Sequence, residues 1–336
     1  MGIKFSSFSI RGIDVSEYNG NVDWSTVGNV SRFGVIRVGF GNNIDPFFVI
    51  NIEAAQKTKL NLMVYWYSDY YSNWYNKLHS AYGLTDERWG RVQADNCYQA
   101  IKIYGVKMVW LDIENITHKG YPLLTEAKAK SHAMAINKAF LERMDELGVK
   151  CGIYASLGWL SWFDNWFRDR MLWVAWYPFR TASVDKDDVI YMCRKNGWEV
   201  DPIIWQYASD GDQDDNGTSD GKTYFKTELK ECDLNGWVGT VDQYSALFGQ
   251  PVVVTPDDET VIQPEITRVI PVKTSTRIFT LRKSPKIENS TFIKLLPPGK
   301  KLDCLERYTD SKGNTWQRVG LDQWVAEVNN RITYLK

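Results

Sequence analysis

The chain has 336 residues, long for one domain and comfortable for two. Its 44% hydrophobic and 24% charged content is that of an ordinary globular protein, and no stretch nears the roughly 18 apolar residues of a membrane span. The formal net charge of −1 hides an asymmetry: from Ile266 to the end 14 Lys+Arg face 6 Asp+Glu, a net of +8, which leaves −9 for the remainder.

In chain order, the opening MGIKFSSFSIRG carries no apolar segment of signal-peptide length, so no export signal is expected. Short apolar runs then alternate with amphipathic stretches. Ile10–Val15, Gly34–Val38, Leu62–Trp66, Met108–Ile113, Cys151–Tyr154, Leu172–Trp176 and Ile203–Tyr207 read as strands, and Phe47–Lys57, Glu87–Tyr104 and Thr125–Leu147 as helices. In the last, Ala129, Ala133, Ile136, Phe140 and Met144 recur at helical spacing, with Thr125 placed as a cap and Gly148 just past the end. The alternation predicts an α/β fold with a parallel sheet, closing as an irregular TIM-like β/α barrel. Because the later helices look short, an incomplete barrel is expected rather than eight even repeats. Residues 249–271 are rich in Pro and free of Gly after Gln250, the pattern of an interdomain connector. Beyond it Thr280–Arg282, Phe292–Leu295, Lys301–Arg307, Thr315–Val319 and Gln323–Val328 look like five short strands separated by turn signals, a small all-β barrel. The expected domains are therefore 1–248, a linker 249–271, and 272–336.

Several chemistries find no motif. The five Cys (97, 151, 193, 232 and 304) form no CxxC pair, the three His are scattered, and neither HExxH nor a phosphate loop is present. No cofactor and no metal are expected. In the acidic stretch 210–221, Asp212, Asp214 and Asn216 fit the start of a calcium loop. Its twelfth position is Thr223 rather than Glu, so a solvated turn is the preferred reading.

The sharpest feature is VWLDIEN, residues 109–115. Strand side chains alternate, so Asp112 and Glu114 face one way while Leu111 and Ile113 face the other. At the C-terminal end of a barrel strand that face opens on the mouth where catalytic groups gather. Two carboxyls held close retain one proton more tightly and split into an acid and a base, as glycosidic cleavage requires. A lone Asp-x-Glu also occurs in structural ion pairs. Asp14, in RGIDVSEYNG, ends the first strand, and Asp233, in CDLNG, is expected near the close of the last. Three strand ends that each deliver an acid to one mouth are hard to attribute to stability. The 15 Trp and 18 Tyr can fill a core or line a sugar groove. Tyr65, Tyr67, Tyr154, Trp176, Tyr177 and Gln206 are candidate substrate-binding residues on other strand ends. Arg37 either steadies a carboxylate or sits in a structural ion pair.

These segments together carry a resemblance. GIDVSEYNGNVDW resembles the first strand and following Asp-Trp of family 25 glycoside hydrolases, the lysozyme-type muramidases, and FGVIRVGFG is similar to their second strand. Asp45, Phe48, Asn51 and Ala55 keep the family's spacing, and VYWYS, VWLDIEN, GIYAS, LWVAWY, IIWQYAS and CDLN follow in order, over about residues 10–240. The resemblance implies a barrel that cleaves the β-1,4 bond between N-acetylmuramic acid and N-acetylglucosamine. It implies Glu114 as general acid and Asp112 as nucleophile or as holder of an attacking acetamido group. Asp14 and Asp233 would complete the acidic cluster. The retaining outcome associated with the family fits carboxyls about 5–5.5 Å apart.

In the tail, FTLRKSP, LLPPGKKLDCLE, NTWQRV and DQWVAEV resemble bacterial SH3-like wall-binding modules, with Thr280 where those carry Asn. The implied partners are peptidoglycan and, through the basic tail, anionic wall polymer. Nucleic-acid binding and membrane insertion are not expected. A phage endolysin, waiting in the host cytoplasm before release to the wall, fits the missing export signal. Two other readings stand beside this one. A chitinase-like glycosidase would carry further acids before the Glu, and Tyr104–Val109 has none. A non-catalytic wall-carbohydrate-binding protein has no need of crowded like charges.

Overall fold

The computed structural model describes residues 3–70, 83–114, 126–178, 184–214, 217–249 and, in the C-terminal part, 272–274, 279–282, 292–296, 301–303, 306–309, 315–320, 323–329 and 332–333. The chain divides into two compact units, Met1–Ile262 and Gln263–Lys336. Apart from Gly249, the expected linker lies outside the described residues, as does the expected cap Thr125.

Nine strands build the first unit: β1 Arg11–Val15, β2 Phe33–Phe40, β3 Asn43–Ile44, β4 Asn61–Tyr67, β5 Val109–Asp112, β6 Cys151–Ser156, β7 Leu172–Ala175, β8 Ile204–Ala208 and β9 Asp233–Trp237. Eight of them close a ring in the order β1, β2, β4, β5, β6, β7, β8, β9 and back to β1, with β3 an antiparallel appendage on β2. The barrel is thus complete, against the expectation of an open one. Its repeats are uneven: between β6 and β7 the chain makes only 3-10 turns, Leu157–Trp162 and Asn165–Phe167.

One strand reverses the expected direction. β9 runs antiparallel to both β1 and β8. A parallel connection must carry the chain back across the barrel, usually on a helix. Between β8 and β9 the only helix among the described residues is Gly221–Phe225, roughly 7 Å long at 1.5 Å per residue. That is too short for the return, so the segment stays at the mouth and β9 starts there. Asp233 therefore opens the last strand rather than closing it.

Among the described residues the α-helices are α1 Trp24–Val30, α2 Phe48–Ala55, α3 Asp86–Ile101, α4 Glu126–Glu146, α5 Lys186–Lys195, α6 Gly221–Phe225 and α7 Val241–Phe248. The expected apolar stripe of α4 is fully buried from Ala129 to Met144. Gly148 takes φ +70° just past its end, and the Gly148 and Val149 N–H groups bond back to Asp145 and Met144, a left-handed helix stop. No helix among the described residues is long and apolar enough to cross a membrane.

Aromatic side chains fill the barrel. Trp173 stands at the centre, its ring 4.5 Å from Tyr154, 6.0 Å from Trp110 and 6.1 Å from Tyr65, all edge to face. Trp110 needs a gap in the neighbouring strand to fit. Gly152 provides it, since a Cβ there would lie 2.6 Å from the Trp110 ring and 2.8 Å from the Met171 carbonyl.

The C-terminal unit is described as strands only: β10 Val272–Thr274, β11 Phe279–Arg282, β12 Phe292–Leu296, β13 Lys301–Asp303, β14 Glu306–Thr309, β15 Thr315–Gly320, β16 Gln323–Asn329 and β17 Ile332–Thr333. All pair antiparallel. Of the expected strand Lys301–Arg307, β13 pairs with β10 and β14 with β15, and residues 304–305 between them lie outside the described residues. Trp316 and Val325 are buried.

Gly152→Ala should overpack the barrel centre and cost about 1–3 kcal/mol. A lowered urea midpoint with an unchanged slope would show this; an unaltered midpoint would mean that Trp110 moves aside freely.

Candidate active site at the barrel mouth

The strand ends deliver the four acids to one place. Asp14 is the penultimate residue of β1 and lies directly across from Asp233, the first of β9. Asp112 ends β5, flanked by Tyr67 of β4 and Tyr154 of β6. Glu114 follows two residues on. The ladder continues past the strand through Ile113 N–H to the Tyr154 carbonyl, and the Tyr70 hydroxyl donates to the Glu114 carbonyl. Alternation then keeps Glu114 on the same side as Asp112, while Ile113 is fully buried on the other.

Burial and mutual repulsion set the protonation of this group. Asp14 is pushed up to about 6, chiefly by loss of hydration and further by Glu114, while bonds from Asn235 and Gln206 pull the other way. Asp112 lies well above the carboxylate range, again first through burial, then through Glu114, Asp14 and Asp233, with Arg37 partly offsetting. Asp233 is also well raised, by burial and then by Asp14, Glu114 and Asp210. Glu114 is raised by burial, with the neighbouring Tyr154 hydroxyl opposing. Asp112 Oδ1 is buried without a hydrogen-bond partner.

A polar relay fixes the geometry. Trp173 Nε1–H donates to Asn235 Oδ1 at 2.8 Å, which turns the Asn235 amide so that Nδ2 donates to Asp14 Oδ2 at 2.7 Å. On the other side, the hydroxyls of Tyr154 (2.7 Å) and Tyr177 both donate to Gln206 Oε1. Gln206 Nε2 is thereby left to donate to Asp14 Oδ2 at 2.8 Å and to Asp233 Oδ2 at 3.3 Å. Each amide is oriented by a donor on its oxygen and presents its N–H to a carboxylate. Asn235 was not singled out from the sequence, although it stands two residues from Asp233 in the same alternation that marked Asp112 and Glu114.

The other sequence candidates divide. Tyr65 is buried in the barrel beside the acids, its hydroxyl pushed up by burial and by Asp14 and held back by Arg37. Tyr67 is half-buried at the mouth and Tyr177 is 49% exposed there. The Trp176 ring lies 6.1 Å from that of Trp205, whose indole N–H donates to the Trp176 carbonyl. Arg37 forms ion pairs with Asp45 at 2.7 Å and Glu17 at 2.6 Å. Asp45 in turn accepts from the Glu17 and Phe47 N–H groups. In the acidic stretch, Asp212 accepts from Gly217 N–H at 2.8 Å, closing the turn on itself. Asn216 lies outside the described residues. Among those described, no cluster of three or more His, Cys, Asp or Glu could hold a metal ion.

Asp14 gives a test of this electrostatic picture. Its folded pKa is above the unfolded value, so the stability it adds is complete below about pH 4 and is lost as pH rises through about 6. Asp14→Asn should therefore melt higher than the parent at pH 7.5, with the gain shrinking toward pH 4. A gain independent of pH would contradict the assignment.

Comparisons with known proteins bear on the family and the fold of the chain. Residues 13–216 match the family model described as Glycosyl hydrolases family 25. No curated protein matches the sequence. Among solved structures, a family 25 glycosyl hydrolase from Bacillus anthracis is similar at 17% identity and a TM-score of 0.52, over 75% of this chain and 97% of that one. The modular autolysin LytC from Streptococcus pneumoniae is similar at 19% identity and a TM-score of 0.50, over 68% of this chain and 46% of that one. At these identities the structural likeness speaks for the fold.

Proposed function

This chain belongs to glycosyl hydrolases family 25 and is a glycoside hydrolase, and from that premise we propose that it is a muramidase. Its substrate would be bacterial peptidoglycan, cut at the β-1,4 bond between N-acetylmuramic acid and N-acetylglucosamine. The observation that carries this reading is the meeting of Asp14, Asp112, Glu114 and Asp233 at one mouth, each with its pKa raised.

The chemistry follows from that crowding. Glu114, its pKa raised by burial, gives its proton to the glycosidic oxygen, so the leaving sugar departs as a neutral alcohol. Positive charge then grows on the anomeric carbon, where Asp112, passing its proton to the carboxylate that Glu114 has become, is the candidate to compensate it. It does so as nucleophile or by holding the substrate's acetamido group during attack. Asp14 and Asp233 share the Gln206 amide on the far wall of the same crevice, and Asp14, relieved by donors from Gln206 and Asn235, is the one on which negative charge is better tolerated. Tyr177 and Tyr67 offer rings on which sugar faces can stack. Arg37 acts at one remove, lowering the Asp112 pKa from within its own ion pairs.

The C-terminal unit is assigned the role of a wall-binding domain of SH3-like type. Its support is the sequence resemblance of its Trp-bearing strands and the +8 charge, which would draw it to anionic wall polymer.

Digestion of purified walls should release fragments whose new reducing ends are muramic acid. New free peptide ends on intact glycan would identify an amidase instead. Glu114→Gln should lower kcat by about 10²–10⁴-fold while wall binding persists, and full lysis by that variant would remove Glu114 from the mechanism.

A further inference from the structure

Asp14 has acids and phenols for neighbours. The ionisable groups coupled to it are Tyr65 of β4, Asp112 of β5 with Glu114 beyond it, Tyr154 of β6, Tyr177 past β7, and Cys232 and Asp233 at the start of β9. The cation Arg37 acts on Tyr65 and Asp112 and is itself paired with Asp45 and Glu17. What favours the charged form of Asp14 is a pair of amides, Asn235 Nδ2 at 2.7 Å and Gln206 Nε2 at 2.8 Å. Both donate to Oδ2. A carboxyl oxygen accepts two such bonds, so the proton of neutral Asp14 is confined to Oδ1.

The two amides are held from opposite directions. Gln206 is turned from the mouth, by the hydroxyls of Tyr154 and Tyr177 on its Oε1. Asn235 is turned from the core. It is fully buried, and its Oδ1 accepts the indole N–H of Trp173, itself only 1% exposed, at 2.8 Å. That N–H has no water to serve, and leaving it unmade would cost the whole desolvation of a polar group. Turned over, the Asn235 amide would set oxygen against Asp14 Oδ2 and N–H against N–H at Trp173. The indole therefore permits one orientation, in which Nδ2 lies between Asp14 Oδ2 and the Asp233 carbonyl at 3.4 Å.

We propose that Asn235 and Trp173 are positioning residues for the cleavage: the Trp173 indole locks the Asn235 amide, and the locked amide lets Asp14 carry negative charge in the crevice during turnover. The assignment rests on the muramidase reading and adds to it a role for two uncharged side chains. Trp173 acts only through Asn235, and Asn235 only through Asp14.

The chain of dependence has a kinetic signature. Removing a donor to the charged form makes Asp14 harder to ionise, so the acidic limb of kcat/KM against pH moves to higher pH. Three full-length variants separate the links: Trp173→Phe, Asn235→Leu and the two combined. The combined variant replaces both buried partners with apolar groups of similar shape, the kind of exchange that costs a fold least. Wall digestion followed from about pH 4 to about pH 8 should show the limb raised by about one pH unit in Asn235→Leu. Trp173→Phe should raise it less, since the freed amide still reaches Asp14 part of the time. In the Asn235→Leu background Trp173→Phe should raise it no further, the coupling expected of residues acting in series. Rates that fall equally at every pH with the limb unmoved would reduce the pair to core packing and overturn the assignment. Independent, additive shifts, or loss of folding in the combined variant, would overturn it too. A parent that releases no muramic-acid reducing ends at any pH would instead count against the muramidase reading, and with it this one.

Discussion

Like charges brought together where water is scarce cannot all be kept, and the upper end of this barrel brings four carboxyls together. Burial is the largest influence on each of them, and each is raised further by neighbours of its own kind or relieved by donors. A carboxyl that holds its proton toward neutrality is an acid catalyst, while its neighbours remain the place where positive charge is welcome. The division of labour needs no special residue type, only different surroundings for similar groups. Asp14 receives two amide N–H donors, whereas Asp112 Oδ1 receives none.

The rest of the barrel works to hold that arrangement. Closing the ring with an antiparallel β9 sets Asp233 against Asp14 and puts Asn235 one pleat below, within reach of Trp173. Trp173 is at once the packing centre of the core and the donor that orients the Asn235 amide. Packing and site geometry are therefore coupled through one side chain, and strain at the barrel centre would reach Asp14. The cluster also works against stability near neutral pH, since each raised pKa is a carboxyl that folding makes harder to ionise. Such a cost persists only where the surrounding structure over-determines the site.

Much of this was legible in the sequence because strands have a period of two. Asp112 and Glu114 in VWLDIEN, and Asp14 at the end of GID, could be assigned to one face from alternation alone. The same rule applied to Asp233 would have reached Asn235, but its amide carries no charge to draw attention. The direction of β9 was not legible. It depends on whether the segment after β8 crosses the barrel, which is a matter of helix length rather than of strand composition. Arg37 could be read two ways because its partners, Glu17 and Asp45, lie on separate segments that only the fold brings to it.

The claim that everything else leans on is that these carboxyls do not ionise independently at ordinary pH. Carbon-13 NMR titration of the Asp and Glu carboxyls, assigned through the substitution of each in turn, would measure this directly. The account predicts Asp14 titrating near pH 6, Asp112, Asp233 and Glu114 all above the usual carboxylate range, and each curve shifting down when a neighbour is neutralised. Four simple titrations near pH 4, indifferent to one another's substitution, would contradict it.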